Sequence, residues 1–116
     1  MKILIYGSRG WIGSQFKEIL ENQNINYIEG KCRVDNEIEL IEEIGTINPT
    51  HIISFIGRTH GKILDKEYST IDYLEEKGKI FENVRDNLFS PLILADICKK
   101  RDIHFTYLGT GCIFTF

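Results

Sequence analysis

A stretch near the N-terminus places three glycines within seven residues, directly after a short apolar run. It comprises Gly7, Ser8, Arg9, Gly10, Trp11, Ile12 and Gly13, with the spacing G-x-x-G-x-x-G. In dinucleotide-binding folds one glycine permits a tight turn, a second lets the backbone approach a pyrophosphate, and a third lets the helix pack closely on the sheet. The N–H groups that begin the helix favour anions. The stretch therefore predicts a dinucleotide site; a ligand-free turn, as in signalling receiver domains, is the alternative.

Basic side chains near the predicted second strand bear on the choice of cofactor. Lys31 and Arg33 closely follow Glu29, and Arg9 lies within the glycine stretch. An acidic residue at the end of the second strand binds the ribose hydroxyl of NAD, so Glu29 is a candidate for that role. Arginine and lysine suit the 2′-phosphate of NADP, which arginine can grip with two hydrogen bonds. The cluster favours NADP(H) over NAD(H), unless all three cations are merely solvated at the surface.

The elements that must position these residues begin with four apolar segments. Residues 3–6 are continuously apolar, which is typical of a strand buried on both faces of a parallel sheet. Residues 25–28, 51–56 and 103–108 predict the second, third and fourth strands.

The first two helices are predicted from apolar spacing and from residues that suit helix ends. Apolar residues recur at helical spacing from Trp11 to Leu20. Asp35 or Asn36 can cap the second helix, and Gly45 is expected to end it.

The chain between the third and fourth strands is expected to hold a loop and a long helix. Residues 57–68 are polar and predict the loop, and residues 69–77 predict a turn of helix. Apolar residues at spacings of three and four predict a helix over residues 81–98 that tolerates Pro91 with a kink.

These elements alternate as β-α-β-α-β-loop-α-β. Such alternation implies right-handed crossovers and a doubly wound parallel sheet with helices on both faces, the Rossmann class of α/β fold. We expect the strand order 3-2-1-4, which leaves the fourth strand on an open edge.

The composition is that of one globular domain. The 116 residues suffice for a single core. Fourteen basic and seventeen acidic side chains give a net charge of −3, which argues against a nucleic-acid partner. No apolar run is long enough for a membrane span or a signal peptide. Three widely spaced cysteines and three distant histidines indicate neither disulfides nor a metal site, and they suit a cytoplasmic protein.

Five segments together resemble the extended short-chain dehydrogenase/reductases. They are the glycine stretch, Gly30-Lys31-x-Arg33, Pro49-Thr50-His51, residues 82–87 and residues 108–114. The resemblance is strongest to the bifunctional UDP-4-keto-6-deoxy-glucose 3,5-epimerase/4-reductases, which complete UDP-L-rhamnose synthesis, and it covers nearly the whole chain. Residues 58–79 depart from the family because they are longer and more charged than usual.

The resemblance implies an NADPH-dependent enzyme that acts on a UDP-sugar and is a homodimer when complete. Residues that match the family's cofactor site, besides the glycine stretch, are Phe55, Ile56 and Gly57 at a strand end and Asn87 on a helix near the active site. Thr110 matches the Ser/Thr that hydrogen-bonds the substrate's C4 oxygen. Cys112 matches the cysteine that is an epimerisation acid/base in similar fucose synthases.

The chemistry of the two candidate catalytic residues agrees with these roles. A hydroxyl such as Thr110 can hold the C4 oxygen, although it is too weak an acid to drive the reduction alone. A thiol such as Cys112 can remove and return a carbon-bound proton if its pKa is lowered locally, and a buried inert thiol is the alternative. Cys32 and Cys98 are expected to be inert, whereas His60, in the predicted loop, is a weaker candidate for contact with the sugar.

The family's proton donor, a Tyr-x-x-x-Lys on the helix after the Thr110 region, has no match before Phe116. Tyr27 with Lys31 and Tyr73 with Lys77 have that spacing, but both pairs precede Thr110 and are interpreted as coincidental. The expectation is therefore an NADP(H)-binding Rossmann domain over residues 1–116, truncated before that helix and the substrate domain.

Two other function classes remain open. A non-catalytic NADP(H)-binding sensor would bind the cofactor without needing Thr110 or Cys112. A flavodoxin- or receiver-like domain is disfavoured, because the glycine stretch offers neither an acidic pocket nor a hydroxyl-rich phosphate loop.

Overall fold

The computed structural model describes residues 1–58, 61–68, 73 and 76–109. In chain order the elements are β1 (Ile3–Tyr6), α1 (Trp11–Asn22), β2 (Tyr27–Glu29), α2 (Glu37–Ile47), β3 (His51–Ser54), β4 (Gly61–Ile63), β5 (Lys66–Tyr68), α3 (Ile80–Val84), a π-helical segment (Arg85–Phe89), α4 (Ser90–Lys100) and β6 (His104–Tyr107). Within these described ranges, no helix has both the length and the apolar character that crossing a membrane requires.

The main sheet is parallel, as the alternation of strands and helices predicted, and its order is β2-β1-β3-β6. Leu4 of β1 aligns with Ile28 of β2 on one side and with Ile52 of β3 on the other. The predicted order 3-2-1-4 is wrong, because α2 carries the chain back past β1 instead of adding the third strand beyond β2. The fourth predicted strand, observed as β6, pairs with β3 at the edge of the described sheet.

Helices cover both faces of this sheet. On one face, Phe16 and Leu20 of α1 pack against Ile3 and Ile5 of β1. On the other face, α2 and α4 pack against the alternate residues of β1 and β3, and the buried set is Leu4, Tyr6, Val34, Leu40, Ile44, Ile52, Ile93, Leu94, Ile97 and Cys98. Because β1 is buried on both faces and hydrogen-bonded on both edges, it fixes the position of the glycine stretch that follows it.

The ends of α2 are set by two asparagines. The Asn36 side chain accepts a hydrogen bond from the Glu39 backbone N–H, which confirms one of the two predicted caps. The helix continues through Gly45 and ends at Asn48, whose left-handed backbone has φ 52°. The predicted end at Gly45 is wrong, because asparagine also tolerates the left-handed conformation that closes a helix.

The predicted loop over residues 57–68 contains a short antiparallel hairpin. Strands β4 and β5 pair Gly61 with Tyr68 and Ile63 with Lys66. The tight connection passes through Leu64, which has φ 53° and is exposed. Because most of these side chains are polar and exposed, the strands lack the apolar alternation that predicts a half-buried strand.

The predicted single helix over residues 81–98 is divided by the π-helical segment. In that segment the backbone N–H of Ser90 donates to the carbonyl of Arg85, and the Ser90 hydroxyl donates to the same oxygen at 2.8 Å. Pro91 lies in the first turn of α4, where a missing N–H costs little. The extra residue of the π turn, rather than a proline kink in one continuous helix, therefore accommodates Pro91.

Candidate cofactor-binding site

A cleft of about 350 Å³ lies at the carboxyl ends of β1 and β3. It is lined by Tyr6, Gly7, Gly10, Gly30, Cys32, Arg33, Val34, Asp35, Phe55, Ile56, Gly57, Arg58, Asp86 and Ser90. The chain leaves β1 towards β2 on one side and leaves β3 towards β6 on the other, so the cleft lies at the switch point of the sheet. Ligands of open α/β sheets bind at such switch points.

Two of the three glycines in the glycine stretch are required by the protein itself. Gly7 has φ 75°, and a Cβ there would lie 2.7 Å from the backbone carbon of Phe55. A Cβ on Gly13 would overlap the carbonyl oxygen of Gly7. Gly7 therefore makes the turn after β1, and Gly13 lets α1 pack against that turn.

Gly10 differs from these two because the protein leaves room for a side chain there. A Cβ on Gly10 would have only the Gly7 carbonyl oxygen nearby, at an ordinary 3.6 Å, and the backbone φ of −71° suits any residue. Gly10 lines the cleft and is exposed. A glycine that no neighbouring atom requires is what close approach of a ligand to the backbone would produce.

The start of α1 adds an anion-binding feature at the same point. Gly10 is the N-cap and has no side chain with which to cap the helix, and the first turn holds no acidic residue. Trp11 is 82% exposed and Ile12 is also exposed. The backbone N–H groups of this first turn therefore lie at the positive end of a 12-residue helix, where they can bind an anion.

The acidic residue at the end of β2 is occupied by other groups. Lys17 of α1 forms a salt bridge with the Glu29 carboxylate. The hydrogen bonds from Lys17 and then Ser8 lower the pKa of Glu29, and the charge of Arg9 contributes to the same direction. Glu29 therefore lies beside the glycine stretch, but its charge is already balanced by Lys17.

The three predicted cations occupy different positions. Arg33 lines the cleft, and its Nε donates to Asp35 at 3.0 Å. Lys31 and Arg9 are exposed and are not among the residues that line the cleft. The structure thus brings Arg33 alone of the three into the cleft wall.

Glu43 on α2, which sequence reasoning missed, organises the loop that carries Lys31 and Arg33. Its carboxylate accepts hydrogen bonds from the Tyr6 hydroxyl at 2.7 Å and the Lys31 backbone N–H at 2.9 Å. The backbone N–H and the thiol of Cys32 also donate to it, each at 3.3 Å. One carboxylate therefore joins β1, α2 and the loop after β2, and no short-range spacing links these residues in the sequence.

These hydrogen bonds determine the charge states of the cluster. Burial opposes ionisation of Glu43, but the bonds from Tyr6, Lys31 and Cys32 together leave its pKa below the usual range. Burial, followed by the hydrogen bond to Glu43, raises the pKa of Tyr6 and raises that of the Cys32 thiol to about 11. Glu43 is therefore the anion of the cluster, while the phenol and the thiol stay protonated at neutral pH.

The segment after β3 is held by Asn87 of the π-helical segment. The Asn87 side chain accepts a hydrogen bond from the Arg58 backbone N–H at 2.9 Å and donates one to the Arg58 carbonyl at 3.0 Å. It also donates to the Asn83 side chain. Phe55, Ile56 and Gly57 line the cleft, whereas Asn87 does not line it and instead bonds to the backbone of Arg58, which follows them.

A second charged cluster in the cleft was also missed. Asp86 is 8% exposed, and its carboxylate accepts from Arg58 Nε at 2.8 Å and from Arg85 Nε at 2.8 Å. Burial opposes the ionisation of Asp86, but these two arginines leave its pKa below the usual range. Asp86 and Arg58 are 28 residues apart, so only the fold brings them together.

Three predicted candidates, Thr110, Cys112 and His60, lie outside the described residues. Both coincidental Tyr-x-x-x-Lys tyrosines are engaged elsewhere. The Tyr27 hydroxyl donates to Glu21 at 2.5 Å, and the buried Tyr73 hydroxyl donates to Glu82 at 2.7 Å. Across the part of the chain that the structure describes, no cluster of three or more His, Cys, Asp or Glu side chains could hold a metal ion.

No protein-family model matches the chain. The chain is 55% identical over 114 residues to protein L780 of Acanthamoeba polyphaga mimivirus, covering 98% of this chain and 38% of L780. The crystal structure of L780, described as a UDP-rhamnose synthase, superposes with a TM-score of 0.91 over 100% of this chain and 39% of that one, at 54% identity.

A plant enzyme is also similar over the whole chain. The chain is 34% identical over 116 residues to the Arabidopsis thaliana trifunctional UDP-glucose 4,6-dehydratase/UDP-4-keto-6-deoxy-D-glucose 3,5-epimerase/UDP-4-keto-L-rhamnose-reductase RHM2, covering 100% of this chain and 16% of that protein. The chain therefore spans well under half the length of the relatives it matches.

More distant solved structures share the fold. A dTDP-4-dehydrorhamnose reductase from Bacillus anthracis, in complex with NADP, has a TM-score of 0.70 at 16% identity over 90% of this chain and 34% of that one. A Thermus thermophilus UDP-glucose 4-epimerase, in complex with NAD, has a TM-score of 0.67 at 16% identity over 89% of this chain and 35% of that one. Proteins of this fold therefore include both an NADP complex and an NAD complex.

Proposed function

Since this chain is a homologue of UDP-rhamnose synthase, we propose that it is the NADP(H)-binding part of a nucleotide-sugar 3,5-epimerase/4-reductase. It is also a homologue of the rhamnose-forming epimerase/reductases of the short-chain dehydrogenase/reductase type. The complete protein would convert UDP-4-keto-6-deoxy-glucose to UDP-L-rhamnose. The 55% identity to L780 and the TM-score of 0.91 over the whole of this chain support this substrate class over a more general oxidoreductase.

The observation that carries the proposal is the position of Gly10. Gly7 and Gly13 are explained by contacts within the protein, whereas Gly10 has open space and an ordinary backbone conformation. It lies at the start of α1 and in the wall of the cleft, where a pyrophosphate would meet backbone N–H groups. The residues present therefore fit a dinucleotide.

The cleft walls favour the phosphorylated cofactor. Arg33 lies in the wall, and Glu29, which would hold the ribose hydroxyl of NAD, is paired with Lys17. Arg9 and Lys31 add positive charge on the exposed side of the glycine stretch and of the β2–α2 loop. We assign the 2′-phosphate of NADP(H) to this region, with Arg33 as its principal ligand.

The residues proposed to act on the sugar follow β6. The nicotinamide, when bound, supplies the hydride that reduces the C4 ketone. Thr110 would donate a hydrogen bond to the C4 oxygen, and Cys112 would remove and return the protons beside the ketone during epimerisation. Both follow the carboxyl end of β6, the side of the sheet on which the cleft opens.

Binding of the reduced cofactors to the protein tests the proposal. We expect NADPH to bind more tightly than NADH, and Arg33→Ala to weaken NADPH at least about ten-fold while changing NADH little, because charged hydrogen bonds contribute about 1.5–3 kcal/mol. Arg101→Ala is the matched control, since Arg101 is exposed beyond the end of α4 and does not line the cleft. An equal loss of both cofactors in Arg33→Ala would exclude the 2′-phosphate assignment.

A further inference from the structure

The cleft holds a second arginine, which the sequence pattern did not single out. Arg58 lies just after β3, and its side chain is about one-third exposed, at 36%. In the strand order β2-β1-β3, Arg58 and the β2–α2 loop with Arg33 therefore approach the cleft from opposite sides of β1. Two guanidinium groups from different elements thus line one cavity.

Asp86 fixes the direction of the Arg58 side chain. Arg58 Nε donates to Asp86 Oδ2 at 2.8 Å, while Arg85 donates to the same carboxylate through Nε and Nη2. Two cations share one anion, so the cluster carries a net positive charge. A guanidinium has five N–H donors, and one shared carboxylate oxygen leaves it able to hold a second anion.

Arg58 and Asp86 line the same cleft as the region assigned to the 2′-phosphate. Arg33 and Asp35 of the β2–α2 loop line the same cavity as Arg58. Asp35 lines this cavity from the β2–α2 loop, and Asp86 lines it from the π-helical segment. The two walls therefore face one cleft.

Resting on the proposed function, we propose that Arg58 is a further specificity-determining residue, which binds the adenosine 2′-phosphate of NADP(H) together with Arg33. A phosphate monoester carries a charge of about −1.5 to −2 and three acceptor oxygens, more than one guanidinium neutralises. Arg33 shares its charge with Asp35, which increases the need for a second cation. Asp86 is then a positioning residue that holds Arg58 in place.

Arg85 provides a matched control. It pairs with the same Asp86 carboxylate as Arg58 but is not among the residues that line the cleft. The experiment measures the affinities of the wild type, Arg58→Gln, Arg58→Lys and Arg85→Gln for NADPH, NADH, 2′,5′-ADP and 5′-AMP by titration calorimetry, with a melting curve for each variant. Each arginine-to-glutamine variant removes one cation from Asp86, so an effect that acts through the carboxylate alone appears in both.

We expect Arg58→Gln to lower the affinity for NADPH and 2′,5′-ADP at least about ten-fold and to change the affinity for NADH and 5′-AMP by no more than about two-fold. Arg58→Lys should recover part of the lost affinity. Arg85→Gln should stay within about two-fold for all four ligands. Equal losses in Arg58→Gln and Arg85→Gln, or equal losses for NADPH and NADH in Arg58→Gln, would overturn the assignment, as would unchanged binding. A wild type that binds neither dinucleotide would instead overturn the proposed function, and with it this inference.

Discussion

The hydroxyl of Tyr6 donates a 2.7 Å hydrogen bond to the carboxylate of Glu43. Tyr6 ends the central strand, and Glu43 lies on α2, 37 residues away. Because the same carboxylate also accepts the backbone N–H groups of Lys31 and Cys32, this bond connects the centre of the sheet to the loop that carries Arg33. The loop that carries Arg33, the proposed phosphate ligand, is thus held by a contact outside the glycine stretch.

Glu43→Gln should loosen that loop. An amide presents N–H donors to groups that are themselves donors, so we expect a loss of about 1–3 kcal/mol in the free energy of unfolding and a larger weakening of NADPH than of NADH. Urea unfolding and cofactor titration measure the two effects. Glu42→Gln is the control, since Glu42 is exposed on the same helix. An unchanged ratio of NADPH to NADH affinity would show that the bond serves stability alone.

Alanine substitutions at Gly10 and Gly13 should distinguish an effect on cofactor binding from an effect on stability. Gly10→Ala meets no clash within the protein, so its melting temperature should stay near that of the wild type while NADPH affinity falls at least about ten-fold. Gly13→Ala forces a Cβ into the Gly7 carbonyl and should cost about 1–3 kcal/mol of stability. Normal cofactor affinity in Gly10→Ala would contradict the placement of the pyrophosphate.

The Cys32 thiol should react slowly with alkylating agents at neutral pH. Burial, with the hydrogen bond to and charge of Glu43, raises its pKa to about 11, so the reactive thiolate is scarce at pH 7.5 and increases as the pH rises towards that value. Glu43→Gln removes both the hydrogen bond to the carboxylate and its negative charge, so iodoacetamide should modify Cys32 faster. Peptide mass spectrometry measures the rate of modification. Cys98, whose pKa is raised to about 11 by burial alone, is fully buried and reports opening of the fold, so its rate should increase less than that of Cys32.

Asp86 should make the free energy of unfolding depend on pH in the acidic range. Despite the opposing effect of burial, Arg85 and Arg58 hold its pKa below the ordinary value of 3.8, so its stabilisation is present above that value and is lost as the pH falls through the lower folded-state pKa. Asp86→Asn should cost about 1–3 kcal/mol at pH 7, and its difference from the wild type should shrink in strong acid. Urea unfolding between pH 7 and pH 2 measures the difference in stability between the two proteins. A difference that stays constant down to pH 2 would refute the ion-pair explanation.

Cys112→Ser tests the proposed acid/base residue in the complete protein. We expect loss of the exchange of the C3 and C5 protons with solvent, measured in deuterium oxide, because a serine hydroxyl is a far weaker base than a thiolate. Reduction of an already epimerised 4-keto sugar should persist. Normal proton exchange in this variant would end the assignment of Cys112.

Local patterns predicted the parts of the site that a short segment forms by itself. Gly7, Gly10 and the strand-end residues Phe55 and Ile56, which the sequence singled out, all line the cleft, since a turn after a buried strand depends on neighbours in sequence. The hairpin at β4 and β5 was missed because its exposed polar side chains lack an apolar alternation. The π-helical segment was missed because helical periodicity does not distinguish one inserted residue from a proline kink.

By itself, the sequence determined the alternation of strands and helices, the parallel sheet and the place of the glycine turn, because apolar periodicity and glycine spacing are short-range properties. Only the tertiary structure decided the strand order, since a crossover helix can return the chain to either side of β1. It also decided the pairing of Tyr6 with Glu43 and of Arg58 with Asp86, because these contacts join elements that are distant in the chain. The glycine stretch is thus formed by one short segment of the chain, whereas the fold brings together the charged side chains proposed to select the cofactor.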